Sequence, residues 1–149
     1  MALALYDSNI LIDALKGYRP ALDELTYWRE PAISTITWIE VMAGARPDDE
    51  AEVRHFLSEF GFEVIQTNVS IMLVAADVRK VSIRAAQKVA VPDAIIMGTA
   101  IVRTATIITR NTKDFRDRPD CRVRIPYGVT STNPVDFINI LPPGASDLP

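Results

Sequence analysis

Residues 2–15 read Ala-Leu-Ala-Leu-Tyr-Asp-Ser-Asn-Ile-Leu-Ile-Asp-Ala-Leu, and two periodicities meet inside them. Ala2–Tyr6 is a short apolar run that stops at Asp7; Ile10, Leu11, Ala14 and Leu15 then recur at helical spacing until Gly17. The segment predicts a buried strand, an acid at its carboxyl end, and a helix. The same alternation runs on. Pro20 to Trp28 has a helical pattern, and Pro31–Ser34 is a short strand whose Ser34 or Thr35 can cap a helix to about Ala45. Asp48 opens a helix with Val53, Phe56, Leu57 and Phe60 on one face, closed by Gly61, and Glu63–Gln66 is a strand. Asn68 caps a long helix through about Ser82, and Pro92 starts another reaching Arg103. Thr106–Thr109 and Val123–Ile125 are strands, and Asn133-Pro134 opens a last short helix to Leu141. Strands separated by helices predict an α/β fold, a mostly parallel sheet covered on both faces, with its ligand site beyond the carboxyl ends of the strands. Asp7 and the run from Thr109 to Asp114 occupy such positions.

The 149 residues are 48% hydrophobic and 23% charged, which excludes intrinsic disorder. One domain over residues 1–141 with a flexible tail at 142–149 is expected. The single cysteine, Cys121, leaves no internal disulfide and no structural zinc set. The longest uncharged run lies between Glu63 and Asp77 and includes Gln66, Thr67, Asn68 and Ser70, so no membrane span and no membrane partner are expected. Without a secretory signal pattern at the N-terminus, a cytoplasmic location is expected. The net charge of −3 conceals an asymmetry: residues 1–78 carry −8, residues 79–124 carry +7 and the remainder −2. The basic third reads either as a phosphate-facing surface or as ordinary solvated faces.

Four acids touch apolar sequence: Asp7, Glu40 in Trp-Ile-Glu-Val-Met, Asp93 in Pro-Asp-Ala-Ile-Ile, and Asp114 in Asn-Thr-Lys-Asp-Phe. Singly, each has a bland reading. Asp7 can be a helix N-cap, Asp93 a first-turn acid, Asp114 a turn residue and Glu40 a solvent-facing side chain. If they converge, a cation is required, because two unit charges about 4 Å apart repel by about 4 kcal/mol at an effective dielectric of about 20. An oxygen-only donor set without His or Cys selects Mg²⁺ or Mn²⁺, and such an ion suits phosphodiester hydrolysis.

Four segments in order carry a resemblance: Tyr-Asp-Ser-Asn-Ile-Leu-Ile-Asp at 6–13, Ser-Thr-Ile-Thr-Trp-Ile-Glu-Val-Met-Ala-Gly at 34–44, Pro-Asp-Ala-Ile-Ile-Met-Gly-Thr-Ala at 92–100 and Ile-Ile-Thr-Arg-Asn-Thr-Lys-Asp-Phe at 107–115. Over nearly its whole length the chain resembles the PIN-domain nucleases, and among them the VapC-type toxin ribonucleases. The resemblance implies a three-layer α/β/α sandwich and cleavage of single-stranded RNA with Mg²⁺ or Mn²⁺. It also implies a homodimer and a cognate VapB-type or related antitoxin that blocks the site. By position, Asp7, Glu40, Asp93 and Asp114 become catalytic, metal-binding acids. Asp7 and Asp93 would coordinate the metal, Glu40 would bind it or orient the attacking water, and Asp114 would complete the shell or a second metal site. Asp117 is the alternative fourth acid. Ser8, Thr109 and Asn111 would be polar supports, Arg110, Lys113 and Arg116 RNA contacts, and Trp28, Trp38, Phe56 and Phe60 either core or an antitoxin groove. A PIN-like RNA-processing nuclease outside toxin pairs and a catalytically silent PIN-like binding module remain as alternatives. A receiver-type phosphoacceptor domain lacks its acidic pair here, since Ser8 follows Asp7, and an Asp-x-Asp phosphatase is excluded by Asn9.

Overall fold

A computed structural model describes residues 3–129 and 137–139 of the chain. Its centre is β1 (Leu3–Tyr6), whose alternating side chains enter two different cores. Beside it on one side lie β2 (Glu30–Ser34) and then β3 (Glu63–Ile65), and on the other β4 (Ala105–Ile108) and then β5 (Val123–Arg124). All four pairings are parallel, giving the order β3-β2-β1-β4-β5. Chain direction across the sheet therefore reverses between β1 and β4, and a crevice opens at that switch point beyond the strands' carboxyl ends.

Among the described residues, six α-helices cover the sheet in two layers. On one face lie α1 (Ser8–Leu15), α2 (Arg19–Tyr27), α3 (Thr35–Gly44) and α4 (Glu50–Glu59), the last preceded by a 3-10 turn at Pro47–Asp49. Ala4, Tyr6, Ile33 and Ile108 of the sheet meet Ile10, Leu11, Leu25, Val41 and Leu57 there. On the other face α5 (Val69–Arg84) and α6 (Val91–Arg103) pack Ile71, Ala75, Ile96 and Met97 onto Leu5, Ala32, Ile65 and Ile107. Right-handed crossovers require this division: connections running one way across the sheet place their helices on one face, and the returning connection uses the other. The expected three-layer α/β/α sandwich is observed. Among the described residues, no helix is long and apolar enough to cross a membrane.

The predicted elements recur with ends shifted by a residue or two. Ser34, not Thr35, caps α3, accepting the Thr37 N–H at 3.1 Å, and Asn68 caps α5 through the Ile71 N–H at 2.9 Å. The C-terminal expectation needs correction. Phe137–Asn139, placed in a last helix, is instead strand β7, antiparallel to β6 (Tyr127–Val129), a strand with no counterpart in the expected elements. The Asn-Pro pair that suggested a helix start equally favours a turn, and the β6 backbone offers these residues a ladder. The rest of that expected helix, and the tail at 142–149, lie outside the described residues.

Two buried ion pairs tie the later strands to the first two helices. The guanidinium of Arg124 donates to Glu24 (2.8 Å), whose other contact is the Trp28 indole N–H (2.9 Å); Arg110 donates to Asp13 (2.6 Å), which also accepts the Tyr127 hydroxyl (2.7 Å). Each pair spares a buried carboxylate the cost of an unpartnered charge.

Gly98 sets the separation of α5 and α6. A Cβ there would lie 2.9 Å from the Ile71 carbonyl oxygen and 3.0 Å from the Ala75 nitrogen, so only a hydrogen permits this approach. Gly98→Ala should lower stability by about 1–2 kcal/mol, overpacking outweighing a gain of about 1 kcal/mol in helix propensity. Urea denaturation checks it; an unchanged midpoint would mean that the two helices separate without cost.

Candidate active site

Asp7 ends β1 and is the N-cap of α1, so two requirements fix one side chain. Its backbone N–H still donates to Ile108 O (2.9 Å), extending the β1–β4 ladder by one residue. Its carboxylate is 5% exposed. Oδ1 accepts the Ser8 N–H at 2.8 Å; Oδ2 accepts the Thr109 hydroxyl at 2.8 Å and the Asn9 amide at 3.2 Å. Burial pushes its pKa upward, and the hydrogen bonds from Thr109 and Ser8 oppose that shift.

Thr109, fully buried just past β4, is the hub of the site. Besides donating to Asp7, its oxygen accepts the Asn9 amide (3.2 Å) and the Asn111 N–H (3.0 Å). Asn111 in turn donates to Asp114 Oδ2 at 2.8 Å and accepts the Asp114 N–H at 3.0 Å, while buried Phe115 anchors the turn. On the opposite side, the Ser8 hydroxyl donates to Glu40 Oε2 at 3.1 Å. A continuous series of neutral groups thus joins Glu40, Asp7 and Asp114. The supports expected at Ser8, Thr109 and Asn111 make these contacts, and Asn9 adds one that the sequence reading overlooked. The available signal was its place in the first turn of α1, two residues after a buried cap, where an amide can bridge two strand ends.

Asp93 comes from the other layer, in the first turn of α6 behind Pro92. Its pKa is pushed up to about 6, first by burial and then by the charges of Asp114, Asp7 and Glu40. Glu40 is raised too, by desolvation and by Asp7, against the Ser8 hydrogen bond. Asp93 therefore feels Asp114, Asp7 and Glu40, and Glu40 feels Asp7, across the β1/β4 crevice. Asp117 does not join them: its carboxylate accepts the Val123 N–H at 2.8 Å and faces Arg122 at 4.0 Å.

The donors are all hard oxygens with excess negative charge, chemistry that fits a Mg²⁺ or Mn²⁺ ion. Among the described residues, no three His, Cys, Asp or Glu side chains are drawn together into a ready-made metal cluster. Uncompensated carboxylates repel, which favours such an open arrangement.

The basic residues divide. Arg110, expected as an RNA contact, has its guanidinium on Asp13 and its backbone N–H on Asn9 Oδ1 (3.2 Å), so the structure gives it a part in the fold. Lys113 and Arg116 are exposed beside Asp114. Trp28, Trp38, Phe56 and Phe60 are half-buried against the α1–α4 core, with Arg54 lying 5.7 Å over the Trp38 ring.

The family model for the PIN domain matches residues 4–120. No curated protein sequence matches. Among solved structures, the chain is similar to one from a toxin–antitoxin complex of Klebsiella pneumoniae, with 40% identity and a TM-score of 0.72, over 85% of this chain and 99% of that one. It is also similar to chains of DNA-bound VapBC from Salmonella typhimurium (20% identity, TM-score 0.70, 83% and 98% covered) and of FitAcB from Neisseria gonorrhoeae (21%, 0.69, 83% and 98%). The last two likenesses concern the fold alone.

The Asp93 shift has a direct consequence for stability. Its folded pKa of about 6 lies above the ordinary aspartate value of 3.8, so the folded state binds the proton more tightly and loses stability as pH rises between those values. In a chelator, Asp93→Asn should melt higher than the parent at pH 8, with the gap closing as pH falls through 6 towards 4. Thermal unfolding at three pH values reads it; a gap independent of pH would mean that Asp93 does not feel its neighbours.

Proposed function

The chain belongs to the PIN domain family, and from that premise we propose that it is a divalent-metal-dependent endoribonuclease that hydrolyses single-stranded RNA. We propose further that it is the cytoplasmic toxin of a type II pair, held inactive by a cognate VapB-type antitoxin; its 40% identity to a chain of a toxin–antitoxin complex supports this. The observation that carries the nuclease reading is the hydrogen-bonded series at the sheet's switch point that runs from Glu40 through Ser8 to Asp7 and on through Thr109 and Asn111 to Asp114.

In this reading Asp7 and Asp93 hold a Mg²⁺ or Mn²⁺ ion, with Glu40 and Asp114 completing its surroundings. The ion supplies Lewis acidity towards a phosphodiester oxygen and a lowered pKa for bound water. The protein's own groups do the rest. Thr109, Ser8 and Asn9 aim Asp7, and the bonds from Thr109 and Ser8 oppose the upward push of burial on its pKa. Glu40, steadied by Ser8, accepts a proton from the attacking water as its oxygen bonds to phosphorus and the 3′ oxygen leaves. Asn111 fixes Asp114, and Lys113 and Arg116 hold neighbouring phosphates against the repulsion of the acids.

Homodimerisation fits an exposed apolar stripe on α5, where Val69, Met72, Leu73 and Ile83 are each more than half exposed. Antitoxin docking fits the α1/α3 side of the site, where Ile39 is 50% exposed next to Glu40 and Ile12 is 37% exposed. A silent PIN-like binding module has one observation in its favour, the lack of a ready-made metal cluster among the described residues. Activity with added Mn²⁺ separates the two readings.

Asp7→Asn should lower RNA cleavage in Mn²⁺ by more than about 100-fold while keeping the fold, since Asn caps a helix as well as Asp does. Thr109→Val, which removes only the support, should weaken Mn²⁺ affinity by about 10–100-fold. Cleavage of a labelled RNA and thermal unfolding measure both; a fully active Asp7→Asn protein removes Asp7 from the mechanism.

A further inference from the structure

A second cleft, of about 550 Å³, opens beside the acidic site between the α5–α6 connection and residues 113–118. Its volume lies within the range of roughly 300–1,000 Å³ usual for small-molecule sites. Two features join it to the acids. Asp114 borders both, and Met97 in its wall lies one turn along α6 from Asp93.

The cleft has an apolar side and a charged side, on which Asp114 and Asp117 accompany the cations. Val78, Val81, Val89 and Met97 form the first, with Val81 59% exposed although it sits on a long helix beside a packed core. Lys88, Lys113 and Arg116 lie on the second, and none of the three makes an ion pair among the described residues. The other arginine there, Arg118, is held by Asp120 at 2.9 Å.

The loop presenting Gln87 and Lys88 is braced. Ser82 Oγ accepts the Val89 N–H at 3.0 Å and donates to Arg79 O at 2.7 Å, while the Arg79 guanidinium donates to Val89 O at 2.7 Å. Ala86 adopts a left-handed backbone (φ 56°) to make the turn, a conformation costing a non-glycine residue about 1–2 kcal/mol. Strain retained in a loop beside a site is a device for holding side chains in place.

We propose that this cleft is the subsite for the nucleotide adjoining the bond that is cut, an inference that rests on the nuclease reading. The base lies against Val81 and Met97, the Gln87 carboxamide reads its edge, and Lys88, Lys113 and Arg116 hold its flanking phosphates. The enzyme thereby obtains base preference at one position from the α5–α6 loop and not from the metal centre.

The test is a binding titration of a fluorescein-labelled single-stranded RNA, by anisotropy, across a KCl series. In the Lys88→Ala/Lys113→Ala/Arg116→Ala protein, the slope of log affinity against log salt should flatten by about 2, near 0.7 for each lost phosphate contact. An RNA carrying one abasic position, scanned past the cut site, should bind the wild type about fivefold more weakly at a single position. Val81→Asp should abolish that discrimination. An unchanged salt slope, or an abasic scan without a weak position, overturns the proposal. Cutting by the wild type in Mn²⁺ is measured alongside. Cutting together with indifferent cleft variants removes the subsite alone, whereas a flattened slope without any cutting removes the nuclease reading and keeps the cleft as an RNA site.

Discussion

A carboxylate at the end of the central strand, almost closed off from solvent, is the constraint around which the rest is arranged. Asp7 occupies a place where the sheet is covered on both faces, and a charge there is costly unless polar groups replace its water. The chain supplies neutral donors, from Ser8, Asn9 and Thr109, and sets Arg110 one residue further on, engaged with Asp13. Neutral dipoles can stabilise one buried charge, but they do not cancel four. The remaining imbalance appears at Asp93, whose pKa is pushed up to about 6 first by burial and then by the three other acids. The donors of a site assembled in this way are those that hard cations take.

The basic third of the chain looks in sequence like one phosphate-binding surface, and three dimensions divide it among different tasks. Arg103 makes a bidentate pair with Glu63 at 2.9 and 3.0 Å, beside the amino ends of the strands and away from the acids. Arg79 holds a loop through Val89 O, and Arg110 and Arg124 hold α1 and α2 through Asp13 and Glu24. What remains near the acids is Lys88, Lys113 and Arg116. A count of charges along a chain therefore overstates an electrostatic surface, because guanidinium groups are favoured where a buried carboxylate needs a planar partner.

Much of the sheet and all of its helical cover were readable, because each strand is a short apolar run and each helix carries a cap or a stop in the expected place. Asp7, Ser34, Asn68 and Pro92 are local signals acting locally. The four acids were readable as individuals, whereas their meeting was not, since it depends on β4 returning to lie beside β1 across about a hundred residues of chain. Resemblance to a family supplied what periodicity could not. The β6–β7 pairing was missed because two short strands of three residues carry too little alternation to outweigh an Asn-Pro start signal. Asn9 was missed because its one signal, a place in the first turn two residues after a buried cap, is weak until its partner Thr109 is known.

One helix links the acidic centre to the basic cleft. In its first turn α6 presents Asp93 to the switch point, one turn later Met97 to the cleft wall, and then Gly98 to α5. Close approach at Gly98 fixes the height of α6 against α5, and α5 through Ser82 and Arg79 fixes the loop that carries Gln87 and Lys88. Displacement of α6 along its axis would shift an acid and an apolar wall together while leaving Asp7, tied to β1 and β4, where it is. The geometry between the acidic centre and the cleft is thus set by helix packing, and a glycine with no polar atom in its side chain helps to determine it alongside the carboxylates.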